Sequence, residues 1–302
     1  MAMAKALAEK VGASLVLATD PDADRLGALA RDGTGALVPL DGNQLAVLMA
    51  DHVLRHVEPA PTDWMLTTLV STRLLGKLGR ARGVETIEDL LVGFKHHAGM
   101  MAEQPQRSVV FMFEEAHGYM RGDDVHDKDG AVAARLLAEC AALAHREGRT
   151  LFDELARIWT ERGYHRERTE NLWAHGAAGR EAIAAAVQDF RTRPPKALGG
   201  LPVVSVVDRK AGQSTGSPTR DLPGNVLVFE LAEGARACRL VVRPSGTEPK
   251  AKIYALASAD PTPDLEEARA SVDAVVEAVL GDAKARAQAI MAPILEAGTS
   301  AT

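Results

Sequence analysis

The sequence predicts an α/β protein: doubly wound, mixed-sheet domains followed by a carboxyl-terminal α+β domain. Three observations lead there. As far as residue 165, apolar strand-like runs alternate with segments of helical periodicity, the pattern of sheets covered by crossover helices. Charged clusters sit just after several of the strand-like runs, where open α/β sheets gather their ligands. Past Phe190 the pattern changes to short β runs separated by a Gly/Ser/Pro-rich loop, with helical sequence at the end.

Taken in order, Ala2 to Val11 has helical spacing and Gly12 is placed to end it, after which SLVLAT reads as a buried strand feeding an acidic loop. The run DGNQLAVLMADHVLRHV is a helix with Asp41 or Asn43 near its start, and the prolines of EPAPTD suggest a boundary at residues 58–63. Beyond it come a strand at WMLTTLV, a helix at STRLLGKLGRARG capped by Ser71, a strand at SVVFMF, and a helix from Gly130 to Arg146 closed by Gly148. LFDELARIWTERG continues as helix, YHRERTEN as a hinge or strand crossing, and Arg180 to Phe190 as an Ala-rich helix. LPVVSVVD, NVLVFELA and RLVVRP are β runs around the loop AGQSTGSPTRDLPG, and two terminal helices follow Thr262-Pro263.

Composition excludes several classes. The formal charge is −6 over 302 residues, against the basic face a general nucleic-acid binder needs. Cys140 and Cys238 stand far apart in apolar runs with no CxxC spacing, which reads as packed free thiols in a reducing compartment. No apolar run approaches the ~18 residues of a membrane span, and Glu9 and Lys10 interrupt what would be a signal's apolar core, so a cytoplasmic location without membrane association is expected.

The stretch TDPDADR places Asp20, Asp22 and Asp24 on alternate residues, so three carboxylates could converge on one point. Uncompensated they repel. A divalent cation resolves this, and an all-oxygen donor set favours Mg²⁺ or Ca²⁺ over zinc. The D-x-D-x-D-G calcium loop does not fit, because its sixth position is Arg25 and its twelfth Arg31. Arg25 beside the site suggests a phosphorylated ligand; the competing reading is a solvated acidic turn with Arg25 as counterion.

RPSGTEPK, after the strand RLVV, can cradle a phosphate: Gly246 permits close backbone approach, Ser245 and Thr247 bring hydroxyls and N–H groups, and Arg243 brings a guanidinium fork. An ordinary strand-to-turn corner has the same composition. No Walker loop occurs in the chain. In FEEAHGYMRGDDVHDKDG, a strand ends in Glu114 and Glu115, placed to accept sugar hydroxyls. A di-iron site would need a second Glu-x-x-His besides Glu114-x-x-His117, and a glycosidase pair of Glu114 with Asp127 or Asp129 is not specified by the spacing. His96 and His97 read as structural, with Lys95 available to a phosphate or a sugar oxygen.

Together and in order, TDPDADR, GNQ, LVST, GFK, FEEAHGY, DKDG, LPGNVLVFEL and RPSGTEPK resemble the α-D-phosphohexomutases, in their carboxyl-terminal half, with GNQ and GFK closest to the phosphoglucomutase/phosphopentomutase branch. The resemblance implies a partial second domain with the metal loop (residues 1–60), a third domain with the sugar loop (61–165) and a fourth with the phosphate loop (166–302). It implies Mg²⁺ on Asp20, Asp22 and Asp24, and catalytic roles for Arg25, Lys95 and Lys128. Substrate binding would fall to Glu114, His117, Arg243, Ser245, Gly246 and Thr247. The partner implied is a small-molecule sugar phosphate, with a sugar bisphosphate as activator and intermediate, bracketed between the acidic trio and the arginine-led loop. Ala116 stands where the family commonly has Ser, which removes one hydroxyl contact.

The resemblance also implies a phosphorylatable Ser in a Ser-His-containing loop, and no Ser precedes a His here. A mutase must donate a phosphoryl group and take one back, so the chain is expected to be inactive alone. A second reading is a non-catalytic protein that binds a sugar phosphate or a partner, and a third is a metal-dependent phosphatase with an Asp nucleophile.

Overall fold

Every residue of β4 (Trp64–Thr68) and β6 (Val109–Glu114) is buried, as strands covered on both faces require. The computed structural model describes residues 1–211, 224–246 and 248–299. The chain divides into two compact units, Met1–Gly163 and Tyr164–Thr302.

In the first unit, a three-stranded antiparallel sheet is formed by β1 (Leu15–Thr19), β2 (Leu26–Arg31) and β3 (Leu37–Leu40), in that order. Helix α1 (Ala2–Val11) lays Ala4 and Ala8 on Val16, Leu29 and Leu37, and Gly12, at φ 72°, ends it as the sequence suggests. The acidic loop therefore joins two antiparallel strands, β1 and β2, as a hairpin turn. This corrects the expected doubly wound unit, in which a buried strand would lead towards a crossover helix. The residues after Arg25 are strand instead, because the alternate positions Leu26 and Ala28 are buried.

Helix α2 (Gly42–His56) starts at Asp41 with a capping box, in which Gln44 N–H donates to Asp41 Oδ1 at 2.9 Å and Asp41 N–H to Gln44 Oε1 at 3.0 Å. After the proline-bearing turn comes a four-stranded sheet of order β5-β4-β6-β7, with β5 (Glu85–Leu90) and β7 (Gly118–Met120) at its edges. Strands β5, β4 and β6 are parallel, and β7 folds back antiparallel on β6. Helix α4 (Lys95–Glu103) covers one face through Met100 and Met101, which pack with Trp64, Leu66 and Met112. Helix α3 (Leu74–Ala81) brings Gly79 against Met65, on the opposite face by strand alternation. Helix α2 packs on β6, α3, α5 (Gly130–Arg146) and α6 (Leu151–Arg162), so it is built into this larger sheet's layer. Arg157 of α6 pairs with Asp51 of α2 and with Glu154 at 3.1 Å, and this ion network ties the two helices together.

Ser71 does not cap α3. Its hydroxyl meets Thr68 Oγ1 at 2.9 Å, and Arg73 occupies the cap position, where its side chain does not cap the helix. His96 and His97 lie in α4.

The second unit is α+β. One antiparallel sheet has the order β8-β13-β12-β11-β10-β9: β8 (His165–Trp173), β9 (Ala197–Leu198), β10 (Leu201–Asp208), β11 (Leu227–Glu233), β12 (Arg236–Pro244) and β13 (Lys250–Ser258). Helices α7 (Gly176–Thr192) and α8 (Leu265–Thr299) pack on each other and on this sheet. The segment read as a hinge or strand crossing is the nine-residue strand β8, paired along its whole length with β13. The two terminal helices are one, because the buried stripe Ala268, Val272, Val276, Val279, Leu280, Ala283, Ala287 and Met291 keeps helical spacing straight through Gly281. No helix among the described residues is long and apolar enough to cross a membrane. Cys140 and Cys238 are buried free thiols.

His97 is fully buried and stacks on Phe94, with ring centroids 4.6 Å apart. Burial, reinforced by the neighbouring charge of His96, pushes its pKa down from 6.5 to about 3. Below pH 6.5 the unfolded chain takes up a proton that the folded one refuses, so stability is lost as pH falls from 6.5 towards 3. Urea denaturation should show a component of up to about 1.4 kcal/mol per pH unit that His97→Phe removes. Equal pH slopes for the two proteins would contradict the assignment.

Candidate metal and phosphate site

The acidic hairpin is fixed by its backbone. Ala23 N–H donates to Asp20 O at 3.0 Å, and Arg25 N–H to Asp20 Oδ1 at 3.1 Å. Three seams then join it to the larger sheet and its helix. Leu26 N–H donates to His117 O at 3.1 Å, Gly130 N–H donates to Ala23 O at 3.0 Å, and Arg25 forms a β-bridge with Gly118. A Cβ at Gly130 would lie 2.6 Å from Ala23 O and 2.8 Å from Arg25 O, so only glycine admits the start of α5 this close. Asp129 caps that helix by accepting from Ala131 and Val132 N–H.

On this frame, one carboxylate oxygen from each of Asp20, Asp22 and Asp24 lies within 4.8 Å of the others. Arg25 Nε stands 3.5 Å from both Asp20 and Asp24. Lys128 Nζ is 2.9 Å from Asp24 Oδ2 and 3.3 Å from Asp127 Oδ1. Burial alone would raise the Asp20 carboxyl, but the Arg25 backbone N–H and guanidinium hold it below its ordinary value. Burial likewise opposes the Lys128 charge, and the carboxylates of Asp24 and Asp127 outweigh it, so its pKa is raised. The two oxygens of Asp24 are unlike: Oδ2 takes the ammonium, whereas Oδ1 is buried, accepts no hydrogen bond and has only the Arg25 guanidinium at 3.5 Å. A buried carboxylate oxygen that accepts no hydrogen bond, beside two converging carboxylates, fits a hard divalent cation such as Mg²⁺.

Lys128 is steered as well as paired. Gly118 leaves the room its stem fills, since a Cβ there would fall 2.3 Å from Lys128 Cδ, and its ammonium lies 5.4 Å from the Phe94 ring centre. Glu114 is 8% exposed, and one of its oxygens accepts from Gly93 N–H at 2.6 Å, which anchors the GFK loop to the end of β6. Lys95 is exposed in the first turn of α4. His117 holds a left-handed φ of 68°, and its Nδ1 lies 3.0 Å from Leu26 O. A carbonyl only accepts, so Nδ1 carries the proton and Nε2 is left to a ligand. GNQ is a framework: Asn43 Oδ1 accepts from Thr72 N–H at 2.9 Å, Tyr119 O–H donates to Gly42 O at 3.2 Å, and Gln44 completes the capping box.

In the second unit, Arg243 is half-buried in β12 opposite Lys252. The loop after it closes with Ser245 N–H donating to Lys250 O at 2.8 Å and Glu248 N–H to Ser245 Oγ at 3.2 Å, and Gly246 is exposed at its tip. Thr247 lies outside the described residues. The structure thus gathers Asp20, Asp22, Asp24, Arg25, His117 and Lys128 in the first unit, with Glu114 bound to the loop that leads to Lys95. It places Arg243, Ser245 and Gly246 together in the second. Sequence reasoning missed the supporting roles of Gly118, Gly130 and Phe94; the Asp-Gly pair at a helix start was the available signal for Gly130.

Comparison with known proteins identifies the class. The family model for phosphoglucomutase/phosphomannomutase, alpha/beta/alpha domain III, matches residues 41–161. The chain belongs to the α-D-phosphohexomutase family. Among curated relatives, a phosphoglucomutase of Staphylococcus epidermidis is 32% identical over 261 residues, 84% of this chain and 47% of the relative. A phosphoglucomutase of Staphylococcus aureus is 32% identical over 255 residues, 82% of this chain and 45% of the relative. The chain therefore spans about half the length of the curated relatives it matches. Two solved structures share its fold. A phosphoglucomutase/phosphomannomutase family protein from Burkholderia thailandensis has a TM-score of 0.58 at 16% identity, covering 95% of this chain and 49% of that one. A putative phosphomannomutase from Thermus thermophilus has a TM-score of 0.55 at 20% identity, covering 89% and 45%.

Gly130→Ala is expected to destabilise the first unit by about 1–3 kcal/mol, because its methyl meets backbone oxygens that cannot swing away. Gly99→Ala, where a Cβ in α4 meets nothing within 4 Å, should instead be neutral or slightly stabilising. Urea unfolding of both variants checks this, and equal behaviour would refute the close-approach argument.

Proposed function

We propose that this chain is the metal- and sugar-handling part of a phosphosugar mutase of phosphoglucomutase/phosphomannomutase type. The reaction moves a phosphoryl group between C1 and C6, or C5, of a sugar phosphate through a bisphosphate intermediate. The observation that carries the proposal is the convergence of Asp20, Asp22 and Asp24 beside Arg25 and Lys128, with Asp24 Oδ1 buried and accepting no hydrogen bond. Asp20, Asp22 and Asp24 would hold Mg²⁺, which supplies positive charge for a phosphoryl group in transfer.

This chain's own residues do the rest. Arg25 offers its guanidinium to phosphoryl oxygens as charge builds on them. Lys128, kept cationic by Asp24 and Asp127, neutralises the same region. Glu114 and the Nε2 of His117 accept hydrogen bonds from sugar hydroxyls, and Lys95 offers its ammonium from the start of α4. In the second unit, Arg243, Ser245, Gly246 and Thr247 grip phosphate. The donating Ser-His loop that the family resemblance implies is not among these 302 residues, so the phosphoryl donor is proposed to lie outside them.

Titration calorimetry should show Mg²⁺ binding that Asp22→Asn weakens at least tenfold; unchanged affinity would remove the metal assignment. With Mg²⁺ and glucose 1-phosphate, the 302-residue chain is expected to bind the sugar phosphate without net conversion to glucose 6-phosphate. Steady conversion would overturn the placement of the donor.

A further inference from the structure

Helix α2 carries two histidines one turn apart, and neither belongs to the acidic site. His52 and His56 stand at i and i+4 on one helix face, with ring centroids 4.5 Å apart. Opposite them on α5, Glu139 brings Oε2 to 3.5 Å from His52 Nε2. That gap is long for a hydrogen bond, but two donor atoms held ~2.1 Å from one tetrahedral ion stand about 3.4 Å apart. A cavity of about 80 Å³ opens beside both rings, between α2, α5 and α6, with room for waters that complete an ion's shell.

The donors are prepared for a cation. His56 Nδ1 lies 2.8 Å from His52 O; a carbonyl only accepts, so Nδ1 carries the proton and the Nε2 lone pair is left to a ligand. Burial, and then the neighbouring charge of His56, hold the His52 pKa below its ordinary value, so its imidazole is neutral at pH 7. Glu139 divides its oxygens: Oε1 accepts from Arg135 Nε at 3.1 Å, and Oε2 is the one facing His52. Arg135 also holds that carboxyl below its ordinary value, so it is ionised. Arg55, which lines the same cavity, is paired with Asp51 at 3.6 Å and Glu154 at 3.5 Å. Cys140 lines it too, but its thiol donates to Leu48 O at 3.7 Å and burial pushes its pKa up to about 12, so it packs rather than ligates. Two imidazoles and one carboxylate suit zinc, nickel or copper, in contrast to the all-oxygen acidic trio.

We propose that His52, His56 and Glu139 form a transition-metal site of the zinc class that staples α2 to α5. His52 and Glu139 already stand at ligand spacing. Unlike the acidic trio, which is converged as it stands, this set is completed by a small turn of the exposed His56 ring about its carbonyl contact. The two helices begin beside the acidic site, Gly42 against Glu115 and Gly130 against Ala23, so an ion between their second halves would steady that frame from a distance. The site uses none of the residues given to the mutase reaction, and stands or falls separately from that reading.

Titration of the whole chain with Zn²⁺ tests it. One equivalent should bind, Asp22→Asn should leave that affinity unchanged, and His56→Ala and Glu139→Gln should each weaken it at least tenfold. Zn²⁺ should also raise the thermal unfolding midpoint of the unaltered chain and not that of His56→Ala. The His56 side chain is exposed and Glu139 is 44% exposed, so both variants should fold, which circular dichroism verifies. Undiminished Zn²⁺ affinity in His56→Ala would overturn the proposal, and so would its loss in Asp22→Asn, which would place the ion on the acidic loop. Failure of Asp22→Asn to alter Mg²⁺ affinity would count against the mutase reading and leave this site untouched.

Discussion

The acidic site depends on a backbone seam. Hydrogen bonds from Leu26 to His117 and from Gly130 to Ala23, with the Arg25–Gly118 bridge between them, weld a hairpin of the small sheet to the edge strand and first helical turn of the larger one. Because main chain does most of the holding, one oxygen from each of Asp20, Asp22 and Asp24 can converge for ligation. Two glycines make the seam possible: Gly130 brings helix α5 against the hairpin, and Gly118 opens the channel that carries the Lys128 stem to Asp24.

Charge follows from that placement. Three carboxylates crowded within 4.8 Å would raise one another's proton affinity, yet Asp20 is held below its ordinary value by Arg25. Lys128 is partly buried, which taken alone disfavours its charge, and Asp24 and Asp127 keep it protonated. Asp20 is thus kept ionised and Lys128 charged at neutral pH. An incoming cation meets a set of hard oxygens, and an incoming phosphate meets Arg25 and Lys128.

Much of this was legible in the sequence because the motifs sit on loops whose residue types report chemistry directly. The helix from Gly130 to Arg146 was legible to the residue, since Asp129 caps it and Gly148 takes a left-handed φ of 71° beyond its end. The family was legible from the order of the motifs. What periodicity could not supply was pairing: Leu26–Arg31 pairs antiparallel with the strands just before and after it, whereas Glu85–Leu90 pairs in parallel with Trp64–Thr68, and local patterns do not name partners. Ser71 looked like a helix cap because its chemistry suits one, but the hydroxyl of Thr68 claimed it. His97 could be placed as structural, yet its burial against Phe94 comes only from the packing of α4 on the sheet. His52 and Glu139 carried no signal, because only the folded unit sets their helices side by side.

Ala23 and His117 sit at φ 58° and 68°, backbone shapes that side-chain-bearing residues rarely hold without outside restraint. Gly130 N–H holds the Ala23 carbonyl and Leu26 N–H holds the His117 carbonyl, so each is restrained from across the seam. A synthetic peptide copying TDPDADR would relax at Ala23 and splay its carboxylates apart. Chelation here is consequently not portable: transplanting the motif into another hairpin would require carrying along the opposing turn and the glycine-fronted helix that clamp it.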